Sequence, residues 1–462
     1  MQKNQAIPDV ALLRETFDRG ITHDFFWRSS QLHALKSFLI ECEKDIADAV
    51  YADFRKSAAE TLLTETGYLC GEIRHTLKHL KSWMKPQRVS IPLIYKPGRG
   101  YYTREPYGVV CIIGAWNYPV NLCLAPLISA LAAGNCAVVK PSELAPNTSK
   151  LIADGLRRYL DQRAICVVEG GVEISKKLLE ERFDYLFFTG SQKIGREVMY
   201  AAAKHLTPLT LELGGKCPCI VEENVDLNVA ARRIVWAKFL NGGQTCISPD
   251  YVLVHKHAED ELLRNMREAI AHFYGDDPKK SPDYPRIINE HHFRRLEKLL
   301  VDSIPSGGNT TDQHEQYIPP TILQGVRPED KIMQSEIFGP LLPVISYGDI
   351  REALDIIGKG DNPLALYLFS SDPKVQQRVV RQSKTGGVCI NDMLFQASCH
   401  MLPFGGIGNS GFGTYHGRAG FNTFSFQRSV LKRSFYPDPD LRYPPYSRVK
   451  LSILKHLITY FH

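Results

Sequence analysis

From Tyr107 onward the chain alternates short β-branched runs with helical stretches, and this alternation restricts its possible folds more than any other feature. In order come GVVCIIGAW, NLCLAPLISALAAG, NCAVVK, TSKLIADGLRRYL, AICVVEG and FDYLFFTG. Strand–helix–strand order predicts an α/β protein with a mostly parallel, doubly wound sheet. The strand runs are apolar on both faces, as expected when helices cover both sides. A second alternating region runs from near Leu211 to about Asn391, through PCIVEENV, YVLVHK, PLLPVISY, ALYLFSS and GVCIN, with a helix over AEDELLRNMREAIAHF. The 462 residues, at roughly 100–200 per domain, predict two or three domains.

Residues 9–84 read as helices, because apolar positions recur at three- and four-residue spacing in LLRETF, LHALKSFLIECEKDIADAVYADF and TLLTETGYLCGEIRHTLKHLKSWM. Pro86, Pro92 and Pro97 interrupt them, and SIPLIY with GYYTREPYG predicts extended segments or a hairpin. Glycine is dense from Leu402 to Gly420, and short strands are expected around FNTFSFQRSVL. A Pro-rich segment, PDPDLRYPPY, sets off a tail, Ser447–His462.

Charge and cysteine usage exclude several classes. Lys+Arg 56 against Asp+Glu 50 leaves +6, and apolar residues make up 44%, so the chain is neither disordered nor a nucleic-acid binder by composition. Eleven cysteines, an odd number, show no framework spacing and read as free thiols of a reducing compartment. The start MQKNQAIPDVALLRE lacks a basic stretch followed by an apolar core, so no signal peptide is expected. No apolar run reaches the length of about 18 residues needed to span a bilayer. A soluble cytoplasmic protein is expected.

Several residues are candidates for chemistry. Cys246 lies in GGQTCISPDY, residues 242–251, between a helix and the strand YVLVHK. Most cysteines only pack, but two glycines here allow a ligand close to the backbone, and a thiolate attacks carbonyl carbons. In TPLTLELGGK, residues 207–216, Leu209, Leu211 and Leu213 share one strand face and leave Thr210 and Glu212 on the other. Glu212 is either a solvent-facing carboxylate or, near apolar walls that raise its pKa, a general base. Asn117 in GAWNYP is a turn residue or a donor to a developing oxyanion.

FTGSQKIG, residues 188–195, follows a strand and opens a helix, so Gly190, Ser191 and Gly195 form either a plain cap or a pyrophosphate site. In VVKPSE, Lys140 and Glu143 are an ordinary charged loop or ribose ligands. QSEIFGP carries Glu336 and Phe338 beside a strand. His291 and His292 lack ligand spacing and are assigned to a solvated helix surface, so no metal is expected. Cys217 and Cys219 read as packing thiols, because a redox role needs exposure and a depressed pKa.

Taken together, in this order, the motifs resemble the NAD(P)-dependent aldehyde dehydrogenase superfamily, and most of all its class 3 branch. The resemblance covers roughly residues 10–435, from WMKPQRV through PYGVVCIIGAWNYP, VVKPSELAP, FFTGSQKIG, LTLELGGK, NGGQTCISPDY, QSEIFGPLLPV and GGVCIND to LPFGGIGNSGFGTYHG. It implies that Cys246 is the nucleophile, Glu212 the general base, and Asn117 the side-chain half of an oxyanion hole completed by the Cys246 N–H. It implies adenosine-ribose contacts at Lys140 and Glu143, a phosphate loop at Gly190, Ser191 and Gly195, and a hold on the nicotinamide ribose by Glu336 and Phe338.

The resemblance also implies a domain division. A nucleotide-binding domain would cover 1–84 and 104–211, and a catalytic domain 212–392. A small β bridging element, 85–103 with 393–436, would pair protomers into a homodimer, leaving 437–462 as a C-terminal tail.

The implied activity is oxidation of medium- or long-chain aliphatic or aromatic aldehydes through a cysteine thiohemiacetal and thioester. Glu143 favours the free 2′-hydroxyl of NAD, with NADP tolerated through Lys140. The alternatives are a semialdehyde dehydrogenase, which needs a cation for the distal carboxylate, and a non-catalytic scaffold on the same fold. The tail is an amphipathic helix, packed near the substrate mouth or on a partner, or making peripheral contact with an anionic membrane.

Overall fold

The computed structural model describes residues 10–303 and 311–461. Residues 1–9, on which the signal-peptide expectation partly rests, and His462 of the tail lie outside the described residues.

The first alternating region folds into a six-stranded sheet in the order Gly411–Phe412, Leu209–Leu213, Tyr185–Gly190, Val109–Ile113, Cys136–Lys140 and Ile165–Val167. Its sequence-successive strands run parallel; only Gly411–Phe412 is antiparallel to its neighbour. The chain moves outward from Val109–Ile113 to one side, then returns and builds the other. Such a reversal opens a crevice beyond the strands' carboxyl ends, where ligands bind in sheets of this type. The GAWNYP loop, Ser191 and Gly214 all follow strands that end at this crevice.

Helix Asn121–Ala133 is buried from Leu122 to Ala133 and lies against Val109–Ile113 and Cys136–Lys140. Helices Phe25–Glu41 and Gly67–Trp83 cover it in turn. A helix apolar all round fits only inside two layers of neighbours, which explains why the N-terminal helices precede the sheet.

The second region forms a fully parallel six-stranded sheet in the order Thr321–Leu323, Leu341–Tyr347, Tyr251–His255, Pro218–Val221, Ala365–Phe369 and Gly387–Ile390. A third sheet of three antiparallel strands joins Gln87–Val89, Gly98–Pro106 and Ser425–Arg433.

Three expectations change in detail. The hairpin partner of Gly98–Pro106 is Gln87–Val89, and Leu93–Tyr95 within SIPLIY is a helical turn. FNT of FNTFSFQRSVL belongs to a helix, Gly417–Thr423, because Phe421 packs inward among the helices; only Ser425–Arg433 is strand. Residues 393–436 are shared between two sheets, since Gly411–Phe412 extends the first and Ser425–Arg433 the third.

The tail forms the helix Arg448–Phe461 beside the Leu93–Tyr95 turn. Lys450 ties it to the Asp440 carbonyl at 2.9 Å, and Val449, Leu451, Ile453 and Ile458 remain exposed. No described helix is long and apolar enough to cross a membrane.

Gly411 closes the first sheet at φ +116°, and a Cβ there would overlap the Leu211 carbonyl oxygen. Gly411→Ala is expected to cost about 2 kcal/mol or more through the disallowed φ and the clash, seen as a lower urea midpoint.

Candidate active site

Cys246 is carried by the turn between helix Leu227–Phe239 and strand Tyr251–His255. Asn241, Gly242 and Gly243 adopt consecutive left-handed conformations, with φ of 52°, 61° and 74°. The glycines were expected to admit a ligand. A Cβ on Gly243 would strike the Gly339 carbonyl, so this glycine lets the cysteine loop close on the loop carrying Glu336 and Phe338, whereas a Cβ on Gly242 would meet nothing closer than 3.6 Å. The half-buried thiol lies on the wall of a cavity of about 230 Å³. Tyr68, Tyr118, Trp236, Phe395, Phe404 and Tyr415 give that cavity an aromatic lining.

Asn117, 4% exposed, donates its side-chain N–H to the Gln244 carbonyl at 3.1 Å. An amide carries two N–H donors, so one remains for another acceptor. Asn241 holds the two loops together. Its side chain donates to the Asn117 carbonyl at 2.7 Å and the Gln244 carbonyl at 3.2 Å, while its backbone N–H donates to Glu60 at 2.8 Å. Burial pushes Glu60 up to about 7, opposed by the nearby Lys56 ammonium and the Asn241 N–H.

Tyr118 bonds the Thr245 hydroxyl at 2.7 Å. Beneath it Lys56 sits 4.3 Å from the Tyr118 ring centre and donates to Glu65 at 2.7 Å, with both ionic groups fully buried. Glu65 also accepts from the Val120 and Asn121 N–H groups at 2.8 and 3.2 Å, at the positive end of helix Asn121–Ala133.

Glu212 is 3% exposed, and neither carboxylate oxygen has a hydrogen-bond partner. The solvent-facing alternative therefore fails: the side chain is shut away from water, and burial holds the carboxyl well above its usual range. Burial also pushes the Cys246 thiol up to about 12, with the Glu336 and Glu212 carboxylates adding to the shift. All three groups thus share one poorly hydrated region.

Glu336 is pushed up to about 8 by burial and by Asp250. Its carboxylate lies so close over Gly214 that a Cβ there would overlap it. Lys216 braces this loop, donating to Asp250 at 2.6 Å and to the Ile332 and Ser335 carbonyls at 2.9 and 3.1 Å. Lys238, fully buried and without a hydrogen-bond partner, is lowered to about 8 by burial.

A second cavity of about 970 Å³ runs from Ser191, Gln192 and Lys193 past Gly215 and Lys216 to Glu336. Ser191 caps helix Gln192–His205 by accepting from the Ile194 N–H, and Gly195 lets that helix sit on Leu213. Lys140 donates to Glu143 at 2.7 Å and to the Pro141 carbonyl at 3.1 Å, at the end of the strand beside Val109–Ile113. Gly190, Lys140, Glu143 and Phe338 are not among the described lining residues of this cavity. Phe338 instead meets Trp116 edge to face at 5.4 Å, and its carbonyl accepts from Arg295.

An elongated dianion suits this groove. A capped helix N-terminus stands at one end, and at the other the half-buried Glu336 carboxylate is available to ribose hydroxyls. His292 departs from its expected solvated surface: it packs 5.1 Å from Trp116, and burial lowers it to about 4. Cys217 and Cys219 are fully buried, and Cys217 accepts from the Ala365 N–H at 3.3 Å.

Asn241, Gln244, Lys216, Lys238 and the Lys56–Glu60–Glu65 group were missed in the sequence. Gln244 and Lys216 lie within motifs singled out as chemical, GGQTC and TPLTLELGGK, and Asn241 opens NGGQTCISPDY, but none of the three is itself marked by its local pattern. The others look like the polar faces of helices or turns.

Cys246 opens onto the apolar cavity and Glu336 onto the groove, while Glu212 and Asn117 are buried and line neither. A doubly wound sheet with a thiol, carboxyls and an amide donor near its crevice is the arrangement of an enzyme site. Residues 14–430 match the aldehyde dehydrogenase family. The chain is 45% identical over 444 residues to rat aldehyde dehydrogenase family 3 member B1, covering 96% of this chain and 95% of that one. A substrate-bound Staphylococcus aureus AldH structure superposes with a TM-score of 0.94 at 41% identity, covering 97% of this chain and 98% of that one. An NAD-dependent aldehyde dehydrogenase from Sinorhizobium meliloti gives 0.83 at 26% identity, with 93% and 87% covered.

The chain belongs to the aldehyde dehydrogenase family, most like its family 3 members, and is an enzyme that oxidises aldehydes.

Replacing Lys56 by Met would leave Glu65 buried without its cation. Lys56→Met is expected to lower stability by about 3–5 kcal/mol in urea unfolding, with part recovered in Lys56→Met/Glu65→Gln.

Proposed function

We propose that this chain oxidises uncharged aldehydes with aliphatic or aromatic tails to carboxylates, using NAD in preference to NADP. The observation that carries this reading is the cavity at Cys246. Its described lining holds aromatic and aliphatic side chains and no lysine or arginine. Its one histidine, His416, is pushed down to about 4 by burial and is therefore uncharged near neutral pH. Thr64, Asn121, Thr245 and Ser398 add polar but uncharged side chains to that lining. A semialdehyde would therefore have to bury its distal carboxylate there without a cationic partner, which costs several kcal/mol. The retained thiol, base and amide donor weigh against a non-catalytic scaffold.

Cys246 acts as the nucleophile. Burial makes the thiol hold its proton, which passes to water in the cavity before attack and leaves the thiolate that adds to the carbonyl. Attack on the aldehyde carbon forms a thiohemiacetal, whose oxyanion is met by the free N–H of Asn117 and the Cys246 backbone N–H. A nicotinamide dinucleotide, when bound, supplies the hydride acceptor that turns this adduct into a thioester. Glu212 then takes a proton from water, which attacks the thioester and frees the carboxylate product and the thiol. With its pKa raised by burial, Glu212 is a stronger base than an exposed carboxylate once ionised, and hydrolysis quickens as pH rises.

On the cofactor side, Ser191 with Gly190 and Gly195 receives the pyrophosphate at the helix N-terminus. Lys140 and Glu143 take the adenosine ribose, and Glu336 with Phe338 fixes the nicotinamide ribose. The NAD preference rests on Glu143: its carboxylate accepts from a 2′-hydroxyl and repels a 2′-phosphate, while Lys140 is already engaged with it.

The nucleotide-binding part comprises 1–84 and 104–211, the catalytic part 212–392, and the bridging part 85–103 with 393–436 apart from residues that join the first sheet. Strand Ser425–Arg433 pairs along one side only, and exposes Phe426 and Leu431. An open nine-residue edge of this kind favours pairing with a second copy, which supports a homodimer. The unpaired thiols suit the cytoplasm.

Initial rates with hexanal, benzaldehyde and succinic semialdehyde, followed at the reduced-nicotinamide band, test the substrate reading. The apolar aldehydes are expected to exceed the semialdehyde in kcat/KM by about a hundredfold or more; equal values would overturn it. Cys246→Ala should give no turnover. Glu212→Gln should still form one equivalent of reduced cofactor and accumulate a thioester on Cys246, visible by intact mass, with steady-state turnover reduced by about 10²–10⁴.

A further inference from the structure

At the far end of the second sheet from Cys246, two neighbouring parallel strands bring three ligand side chains together. Strands Pro218–Val221 and Tyr251–His255 are in register with Val221 opposite Val254. The strands end at Val221 and His255, and residues 256–258 form a turn. His257 in that turn stands edge to face with His255, ring centres 4.9 Å apart, and Glu223, two residues past Val221, reaches both.

The Glu223 carboxylate oxygen is 3.2 Å from His255 Nδ1 and 2.9 Å from His257 Nδ1. All three ligand atoms lie within 4.8 Å of one another. We propose that Glu223, His255 and His257 bind one divalent transition-metal ion of the Zn²⁺ class, with solvent completing the coordination.

Geometry and chemistry both support this. Metal–ligand bonds of about 2.0–2.2 Å at tetrahedral angles put the ligand atoms roughly 3.3 Å apart. The two carboxylate–imidazole separations already match that spacing, and small rotations of two exposed side chains adjust the third. Two imidazoles and a carboxylate are a borderline donor set suited to zinc, cobalt or nickel, and a poor one for calcium or magnesium, which take oxygen ligands.

An independent observation concerns His255. Its Nδ1 is screened from solvent and makes no hydrogen bond, although Glu223 is near. The ring is held edge-on to Tyr347, 5.6 Å away at 81°. An unpartnered imidazole nitrogen fixed by packing and aimed at a carboxylate is a pre-oriented ligand. Glu223 and His257 are exposed, so an ion can enter from solvent. The ion would clip the ends of two core strands together and stabilise the fold by mass action. The sequence expectation of no metal missed this set because Glu223 and His257 are 34 residues apart and meet only through strand pairing.

Titration of the full-length enzyme with Co²⁺ tests the site, since tetrahedral cobalt absorbs visibly and thiolate ligation adds a separate charge-transfer band. One equivalent is expected to bind with the visible band and without the thiolate band, to be displaced by Zn²⁺, and to raise the melting temperature. His257→Ala and Glu223→Gln should each weaken binding at least about tenfold and abolish the melting shift. Their melting temperatures without metal should stay near that of the parent protein. Thiolate charge transfer, equal affinity in the variants, or no saturable binding below millimolar cobalt would each overturn the proposal.

Discussion

The side chain of Asn241 is the point through which the two large sheets share one reaction centre. Asn117 follows a strand of the first sheet, whereas Cys246 precedes a strand of the second. Asn241 donates to the carbonyls of Asn117 and Gln244 together, and its own backbone N–H is fixed by Glu60. Relative displacement of an ångström between donor and nucleophile is enough to lose much of the benefit of holding them together. The left-handed backbone at Asn241 and the two glycines after it are the local strain that lets this amide reach both loops.

Around that bridge the protein keeps ionisable groups in poor solvent. Glu212 has no hydrogen-bond partner at either oxygen, Lys238 has none at its ammonium, and the Cys246 thiol is held protonated by burial. Elsewhere the same problem is solved by pairing, as with Lys56 and Glu65. A paired charge is fixed in place, whereas a carboxyl without a partner, as at Glu212, keeps both oxygens available to a proton. Unsatisfied groups in a core weaken the fold, and Glu212 and Lys238 are among those that carry this cost here.

The parallel sheets were legible because runs such as VVCII, CAVVK and YLFFTG are apolar on both faces, which only buried strands tolerate. FNT, residues 421–423, reads locally as the start of a strand because Phe421 suits either conformation; docking of Gly417–Thr423 onto helix Asn121–Ala133 decides for helix. His292 was misread for a related reason. A histidine on a charged helix usually faces water, and only the approach of Trp116 from a distant loop removes that water. The glycines of GGQTC are legible as special, but that Gly339 of another loop presses on Gly243 is visible only in the fold.

Motif residues with a fixed local setting could be found by reading along the chain. Cys246 lies in a Gly-flanked turn, Glu212 at the end of a strand before two glycines, and Ser191 at a helix start. Those settings follow from backbone geometry within a few residues, and the order of the motifs identified the family. Whether Glu212 faced water, which residues braced Asn117, and that Glu223 meets two histidines depended on segments far apart in the chain. Burial, desolvation and cross-strand contact are properties of the packed whole, because the dielectric around a side chain is set by whatever folds over it.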